Sequence, residues 1–285
     1  MPLCSCKQGV HFVLQLHILI MKIKAYITLM LATVLMAACS HIDEDEQLIY
    51  VKPAAVERSV LLEDFTGQRC VNCPMAAEEI AKLHEQYGED AIIAVSIHSG
   101  PLGFHTNTRF LGLATDVGDN YYNHWNLEFQ PVGLIDRGAP AEYTAWGTLI
   151  RQELQKSAPV DIDLMVNPSD DNQIDIYTEI KGVDGNTQGK LQLWIVEDDI
   201  TAFQMMPDGT RNDNYIHQHV FRAAVNGEWG EDVEVQEGYT ISNNHLITLS
   251  DEWKAENLYV IAFVYNNSGV LQVTKTKLLN DTLEE

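Results

Sequence analysis

The hydrophobic pattern of this chain changes period at Ala158-Pro159, and that change constrains the fold more than any other feature. Before it, apolar runs alternate with stretches of helical spacing. Residues 59–65 read as a strand. Residues 74–87 read as a helix, with Met75, Ile80, Leu83 and Tyr87 near one side and Gly88 as the stop. Residues 91–97 form a nearly continuous apolar run, as in a strand buried on both faces. Residues 104–128 predict short helices, 131–135 a short strand, and 142–157 a helix carrying Trp146, Leu149, Ile150 and Leu154 on one side. After the change the period is two. Val160, Ile162, Leu164 and Val166 share a face, and residues 174–180, 191–196, 219–225, 245–249, 258–265 and 270–277 read as further short strands. Turn signals separate them, among them Asn167-Pro168-Ser169-Asp170-Asp171 and Pro207-Asp208-Gly209. Strands alternating with helices predict an α/β unit over 57–157, and short strands without helices predict an all-β sandwich over 158–285.

The first 38 residues belong to neither unit. From Met21 the chain reads MKIKAYITLMLATVLMAACS, with a positive start at Lys22 and Lys24. The apolar run over 25–38 is too short to span a bilayer as a mature helix, and small residues close it before Cys39. This is the pattern of a secretory signal, with residues 1–20 as an upstream extension; an uncleaved anchor is the alternative. Leu35-Met36-Ala37-Ala38-Cys39 resembles a bacterial lipobox, with Met36 where Leu is usual. The resemblance implies acylation of Cys39 and attachment to the membrane through it. Acyl chains contribute about 0.8 kcal/mol per buried CH₂, so two or three anchor a chain firmly. Asp43-Glu44-Asp45-Glu46 is too charged to pack, so 39–56 reads as an acidic tether. The run also resembles the surface-export signal of Bacteroides-group lipoproteins. The expected location is therefore the outer membrane, on its periplasmic or surface side.

Charge excludes one class of partner. Lys and Arg number 18 against 41 Asp and Glu, a net charge of −23. The first 38 residues hold three of the basic residues and none of the acidic ones, so the remainder is more acidic still. Such a body is repelled by phosphate backbones, and nucleic acid is not an expected partner.

Of five cysteines, Cys4 and Cys6 leave with the signal and Cys39 is consumed by lipid, which leaves Cys70 and Cys73 in an oxidising compartment. Cysteines this close in sequence shut too small a loop to stabilise much, so a scaffolding role explains the pair weakly. Cys70-Val71-Asn72-Cys73-Pro74 lies between a predicted strand and a predicted helix. A helix N-terminus carries unpaired N–H groups and partial positive charge, which favour a thiolate. The expectation is that Cys70, at the helix start, is the more exposed attacking thiol. Cys73, in the first turn, would resolve the mixed disulfide.

The stretch around this pair resembles the thioredoxin superfamily. Asp64-Phe65 stands ahead of Cys70 at the spacing of that family, which implies that Asp64 is a buried proton acceptor near the resolving cysteine. Glu63 would point to the other face of the strand. Gln130-Pro131, before the strand at 132–135, matches the family's cis-proline, and a backbone edge without an N–H there would let a substrate chain approach. Two features depart from the pattern: Arg69 replaces the usual Trp, and 104–128 reads as an insertion. Over roughly 39–280, the lipobox followed by EDFTGQRCVNCP, QPVGLIDR and HQHVFRAAVNGEWGE resembles the Bacteroides-group outer-membrane lipoprotein family of the twenty-eight-kilodalton type. That resemblance implies a thioredoxin-like α/β domain followed by a β-rich domain, and says little about substrate.

Other constellations carry bland readings. His217 and His219 would share a strand face, without a third ligand nearby in sequence. His98 and His105 flank a predicted strand end and, with the cysteines, have the donor types of a copper site; loop histidines are the much plainer explanation. Asp170-Asp171 and 208–213 are acidic loops without a full calcium pattern. No metal or cofactor is implied. Two functions remain: a thiol–disulfide oxidoreductase with catalytic Cys70, Cys73, Pro131 and Asp64 acting on exported protein disulfides, or a surface binding or adhesion lipoprotein that uses the fold as scaffold with an unknown surface partner.

Overall fold

The computed structural model describes residues 56–169 and 172–279. In chain order these form β1 (Val60–Thr66), α1 (Cys73–Tyr87), β2 (Ile92–His98), α2 (Asp116–His124), β3 (Val132–Ile135) and α3 (Trp146–Glu153). Strands β4 (Val160–Pro168), β5 (Gln173–Gly182), β6 (Thr187–Glu197), β7 (Ile200–Met205) and β8 (Arg211–His217) follow. Then come β9 (Val220–Ala224), β10 (Glu231–Val235), β11 (Thr240–Thr248), β12 (Leu258–Asn266) and β13 (Gly269–Lys277). The signal, Cys39, the acidic run at 43–46 and Asp170-Asp171 lie outside the described residues. No helix among the described residues is long and apolar enough to cross a membrane.

β1 and β2 are buried along their whole length, so both faces of the sheet need a cover. Successive side chains of a strand point to opposite faces, and the two covers divide accordingly. Val60 and Leu62 of β1 and Ile92 and Ala94 of β2 meet Ala76, Ile80 and Leu83 of α1 and Trp146 and Ile150 of α3. Leu61, Phe65, Ile93, Val95 and Ile97 point the other way, into a core shared with Tyr121, Trp194, Phe221 and Phe263. Each fully buried Val, Leu or Ile contributes roughly 1.5–3 kcal/mol relative to exposure, so both layers are needed. Helix α1 forms where the spacing predicts: Pro74 needs no N–H in the first turn, and Gly88, at φ 89°, ends it in a conformation closed to most side chains.

The expected fold class is corrected here. An α/β thioredoxin-like domain followed by a separate all-β sandwich requires two sheets with two cores. The chain instead builds one mixed eight-stranded sheet in the order β13-β12-β6-β9-β2-β1-β3, with β10 also on β6. β1 runs parallel to β2 and antiparallel to β3, while β6, β12 and β13 form an antiparallel run. The join is β2 to β9: Ser96 pairs with Val220, and the Ser96 N–H donates to the His219 carbonyl at 2.7 Å. The core is common as well, since Trp194, Phe221 and Phe263 pack with Leu61 and Ile93. The described residues cluster as one compact unit. A second sheet, β11-β5-β4, covers the outer face of β6 and β12 through Val160, Ile162, Ile176, Leu193 and Val260. A β7-β8 hairpin stands apart from both sheets. Local pattern identifies strands and helices but does not reveal which distant strand each one joins, and the fold class turned on that pairing.

Local differences follow the same logic. Residues 104–128 yield α2 alone, and the predicted helix at 142–157 shortens to α3 behind a 3₁₀ turn at Tyr143–Ala145. Gly133 of β3 is where Trp146 crosses the sheet: a Cβ there would lie 2.5 Å from the indole ring.

Candidate functional site

β1 delivers its C-terminal end to the loop that carries the cysteines. Gly67 packs so closely under Leu102 that a Cβ would lie 2.3 Å from the Leu102 carbonyl oxygen. The Arg69 N–H donates to that same oxygen at 3.0 Å, and the Cys70 N–H to the Gly67 carbonyl at 3.0 Å. Asn72 is the N-cap and Cys73 the first residue of α1. Cys70 therefore precedes the helix instead of starting it, and the helix dipole acts most directly on Cys73. The two sulfurs form a disulfide with the Cα atoms 5.4 Å apart.

The expected difference in exposure is absent. Cys70 and Cys73 are each 2% exposed. The β7-β8 hairpin is tied to the loop that carries Cys70: the Gln204 side-chain amide donates to the Cys70 carbonyl at 2.8 Å and to the Gly67 carbonyl at 3.3 Å. The Met205 N–H donates to the Gln68 carbonyl at 2.9 Å, and the Gln68 amide donates to the Phe203 carbonyl at 3.1 Å.

Gln130-Pro131 is a cis peptide bond. It precedes Val132, which pairs with Phe65, so it lies at the end of the sheet where β1 enters the cysteine loop. Gln130 fixes that end, donating to the Thr66 carbonyl at 2.6 Å and the Ser99 carbonyl at 3.0 Å.

Asp64 faces the α1 side of the sheet and Glu63 the other, as alternation requires. Asp64 lines a cleft of about 710 Å³ together with Cys73, Pro74, Ser96, His98 and His217. Its carboxyl is buried, Oδ1 has no hydrogen-bond partner, and burial pushes its pKa up to about 8. His98 and His217 meet edge to face, ring centres 5.0 Å apart. Burial, with the neighbouring His217, holds His98 well below the usual imidazole range. Burial also pushes His217 down to about 4. One buried ring nitrogen on each, Nδ1 of His98 and Nε2 of His217, has no hydrogen-bond partner. Near neutral pH the cleft thus holds two uncharged imidazoles and a largely protonated carboxyl beside a sulfur.

The histidine pairs of the sequence separate. His217 ends β8, whereas His219 sits in a left-handed turn at φ 57°, with Nδ1 at 3.1 Å from Asp198 and its ring against His84. His105 leaves His98 and pairs with Asp119 at 2.8 Å on the surface. Asp208 bonds the Thr210 hydroxyl, and Asp213 pairs with Arg211 at 2.7 Å. Among the described residues no group of three or more His, Cys, Asp or Glu is placed to hold a metal. His217 and Gln204 were missed as neighbours of the cysteines; the only sequence signal was the Pro207-Asp208-Gly209 turn, which marks a hairpin but not its target, and Ile-Thr-Ala-Phe-Gln-Met over 200–205 does not alternate.

A family model described as "Outer membrane protein Omp28" matches residues 118–282. Among solved structures, HBP35 of Porphyromonas gingivalis aligns with a TM-score of 0.63 at 15% identity, over 81% of this chain and 80% of that one. The chain therefore shares its fold. A domain of the outer membrane lipoprotein Omp28 from Porphyromonas gingivalis is 25% identical over 42% of this chain and 88% of its own length, with a TM-score of 0.32. No curated protein matches the chain.

Proposed function

Since the chain belongs to the Omp28 outer membrane protein family and is an outer membrane lipoprotein, we propose that it exchanges thiols and disulfides with exported proteins through Cys70 and Cys73, held to the membrane by acyl chains on Cys39. The observation that carries this reading is the placement of Asp64: a buried carboxyl with an unpartnered oxygen, in the same cleft as Cys73. In the reduced pair, the Cys70 thiolate attacks a substrate disulfide, forms a mixed disulfide and expels one substrate thiolate. Asp64 takes the Cys73 proton. The Cys73 sulfur then attacks Cys70, releases the second substrate thiol and leaves the pair oxidised by two electrons. With its pKa near 8, only the ionised minority of Asp64 can accept that proton at neutral pH, and the transfer becomes more frequent as pH rises through 8. The cis bond at Pro131 leaves an edge without an N–H beside the loop for the substrate backbone. The β7-β8 hairpin must lift for Cys70 to be reached.

Single-cysteine variants test the reading. Cys73→Ala should trap mixed disulfides through Cys70, Cys70→Ala few, and the native chain should reduce insulin with dithiothreitol as electron source. If neither variant traps a partner and the pair resists dithiothreitol, the disulfide is structural. Palmitate labelling that survives Cys39→Ala would remove the anchor from the proposal. One observation favours a second reading, a surface binding lipoprotein: both cysteines are covered, as in a pair that only shapes a loop.

A further inference from the structure

A second pocket, of about 960 Å³, is unused by the redox reading. Its wall includes Trp125, Arg137, Lys190, Trp229 and Tyr265, with a polar rim at Gln188 and 266–268. Arg137 contacts Glu63, so the pocket belongs to the face of the sheet opposite Asp64.

Arg137 has only 3% of its side chain exposed, and it lies over Tyr265 at 3.9 Å and Phe263 at 4.8 Å, with Trp229 at 5.9 Å. Its ion-pair partner is Glu63, Nε to Oε1 at 3.6 Å, which is too long for a hydrogen bond. Nε, Nη1 and Nη2 are all buried without a hydrogen-bond partner, and so are both oxygens of Glu63. A guanidinium presents five donors in a fixed fork, and leaving them unmet in the interior is costly. Burial raises Glu63 to about 7, so near neutral pH it offsets only part of the Arg137 charge. The backbone at Asp136 and Arg137 is left-handed, at φ 50° and 61°, a conformation side-chain-bearing residues avoid. It is held there by Asp136, whose Oδ1 accepts from the Leu61 N–H at 2.8 Å and whose Oδ2 accepts from Arg58 at 2.8 Å. Such expense around one cation points to an anion that completes the fork. Trp125 adds a second buried donor without a partner, Nε1.

The rest of the wall narrows the ligand. Tyr265 lies under Arg137, but Trp229, which meets the His124 ring at 4.2 Å, also lines the pocket with a half-buried indole that suits the C–H face of a sugar ring. Asn267 and Ser268 stand exposed at the rim, where amide and hydroxyl groups bond to sugar hydroxyls. Lys190 adds a second cation, paired at present with exposed Asp232 at 2.8 Å. A simple inorganic anion would use the fork but not the rings, and a neutral sugar the rings but not the fork. We propose that this pocket binds an acidic sugar, a hexuronate unit of a glycan, with its carboxylate bidentate on Arg137 and its ring against Trp229.

The test is direct binding to the full chain in detergent micelles, read by tryptophan fluorescence and calorimetry. The probes are D-glucuronate and tri-galacturonate, with D-glucose and neutral galactotriose as controls. At least one acidic probe should bind tenfold or more tightly than its neutral control. Arg137→Lys keeps the charge and removes the planar fork, and should weaken that binding at least tenfold. Trp229→Ala and Asn267→Ala report on the ring face and rim, and keep the test open if Arg137→Lys does not fold. Failure of both acidic probes to bind, equal binding of the neutral controls, or affinity indifferent to every folded variant overturns the proposal.

Discussion

Glu63 and Asp64 are neighbours on one strand, are both fully buried, and solve the same problem in opposite ways. Glu63 faces the Trp194 side of the sheet and is set against a cation, Arg137. Asp64 faces α1 with no counter-ion, and burial alone raises its pKa. A buried charge must be paired or neutralised, and here the alternation of a strand assigns one remedy to each face. The paired side can offer its cation to an anionic ligand. The other side holds the sulfur, and there the ionised fraction of Asp64, which grows as pH rises toward 8, can accept the thiol proton. Two carboxyl side chains, one position apart, are thereby given different chemistry by what the strand's two faces meet.

The comparison breaks most severely if the pair is halved. Glu63→Gln leaves a buried guanidinium without an anion and should cost about 3–5 kcal/mol of stability in urea unfolding at pH 7.5. Adding Arg137→Met should recover most of that loss. If the double variant is no more stable than the single one, the two residues are not coupled.

Asp64→Asn should act the other way. A group whose folded pKa lies above its unfolded value contributes fully below the unfolded pKa, and the contribution is lost as pH rises through the folded one. For Asp64 that window runs from the ordinary 3.8 to about 8. The native chain should lose stability across it, and Asp64→Asn should be more stable at pH 9 by on the order of a few kcal/mol. His217 works at the acid end: with its folded value down at about 4, its contribution is present above 6.5 and lost as pH falls toward 4. His217→Gln should soften that limb without removing it, because burial holds His98 below the imidazole range as well. An Asp64→Asn variant with the native pH profile would show that the carboxyl does not titrate as described.

The Asp64 face was the more legible of the two. The strand-loop-helix run from β1 to α1, the cysteine spacing and the proline before β3 are local signals, and each of those residues falls at one end of the sheet. Glu63 and Asp64 separate by alternation alone. What stayed hidden was long-range. Nothing in the pattern of 220–224 says that β9 docks on β2, so the shared sheet was invisible, and with it the fold class. His217 reaches His98 only because the chain returns there, and His105, nearer in sequence, turns away. Arg137 follows a short strand and precedes Gly138, which reads as a solvent-facing turn; its burial comes from Trp194, Phe263 and Tyr265 of distant strands.

A smaller effect tests the cover over the Asp64 face. Gly133→Ala places a methyl against the fully buried Trp146, and overpacking of this kind costs about 1–3 kcal/mol. The thermal midpoint should fall and the near-ultraviolet tryptophan signal should change. An unchanged midpoint would mean that α3 yields easily and is not a rigid cover.

The smallest expected change in stability is the most telling for the cysteines. Gln204 holds the hairpin to the cysteine loop through its amide, and replacing it by Ala removes those bonds for roughly 1 kcal/mol of stability. The Cys70 and Gly67 carbonyls it releases can turn to water once the hairpin lifts. The rate of dithiothreitol reduction should therefore rise about tenfold in Gln204→Ala at pH 8, while Asn267→Ala, on the Arg137 face, should leave it unchanged. If Gln204→Ala is reduced no faster than the native chain, the hairpin does not control access. The pair would then be covered by the loop itself, which favours the structural disulfide over the exchanging one.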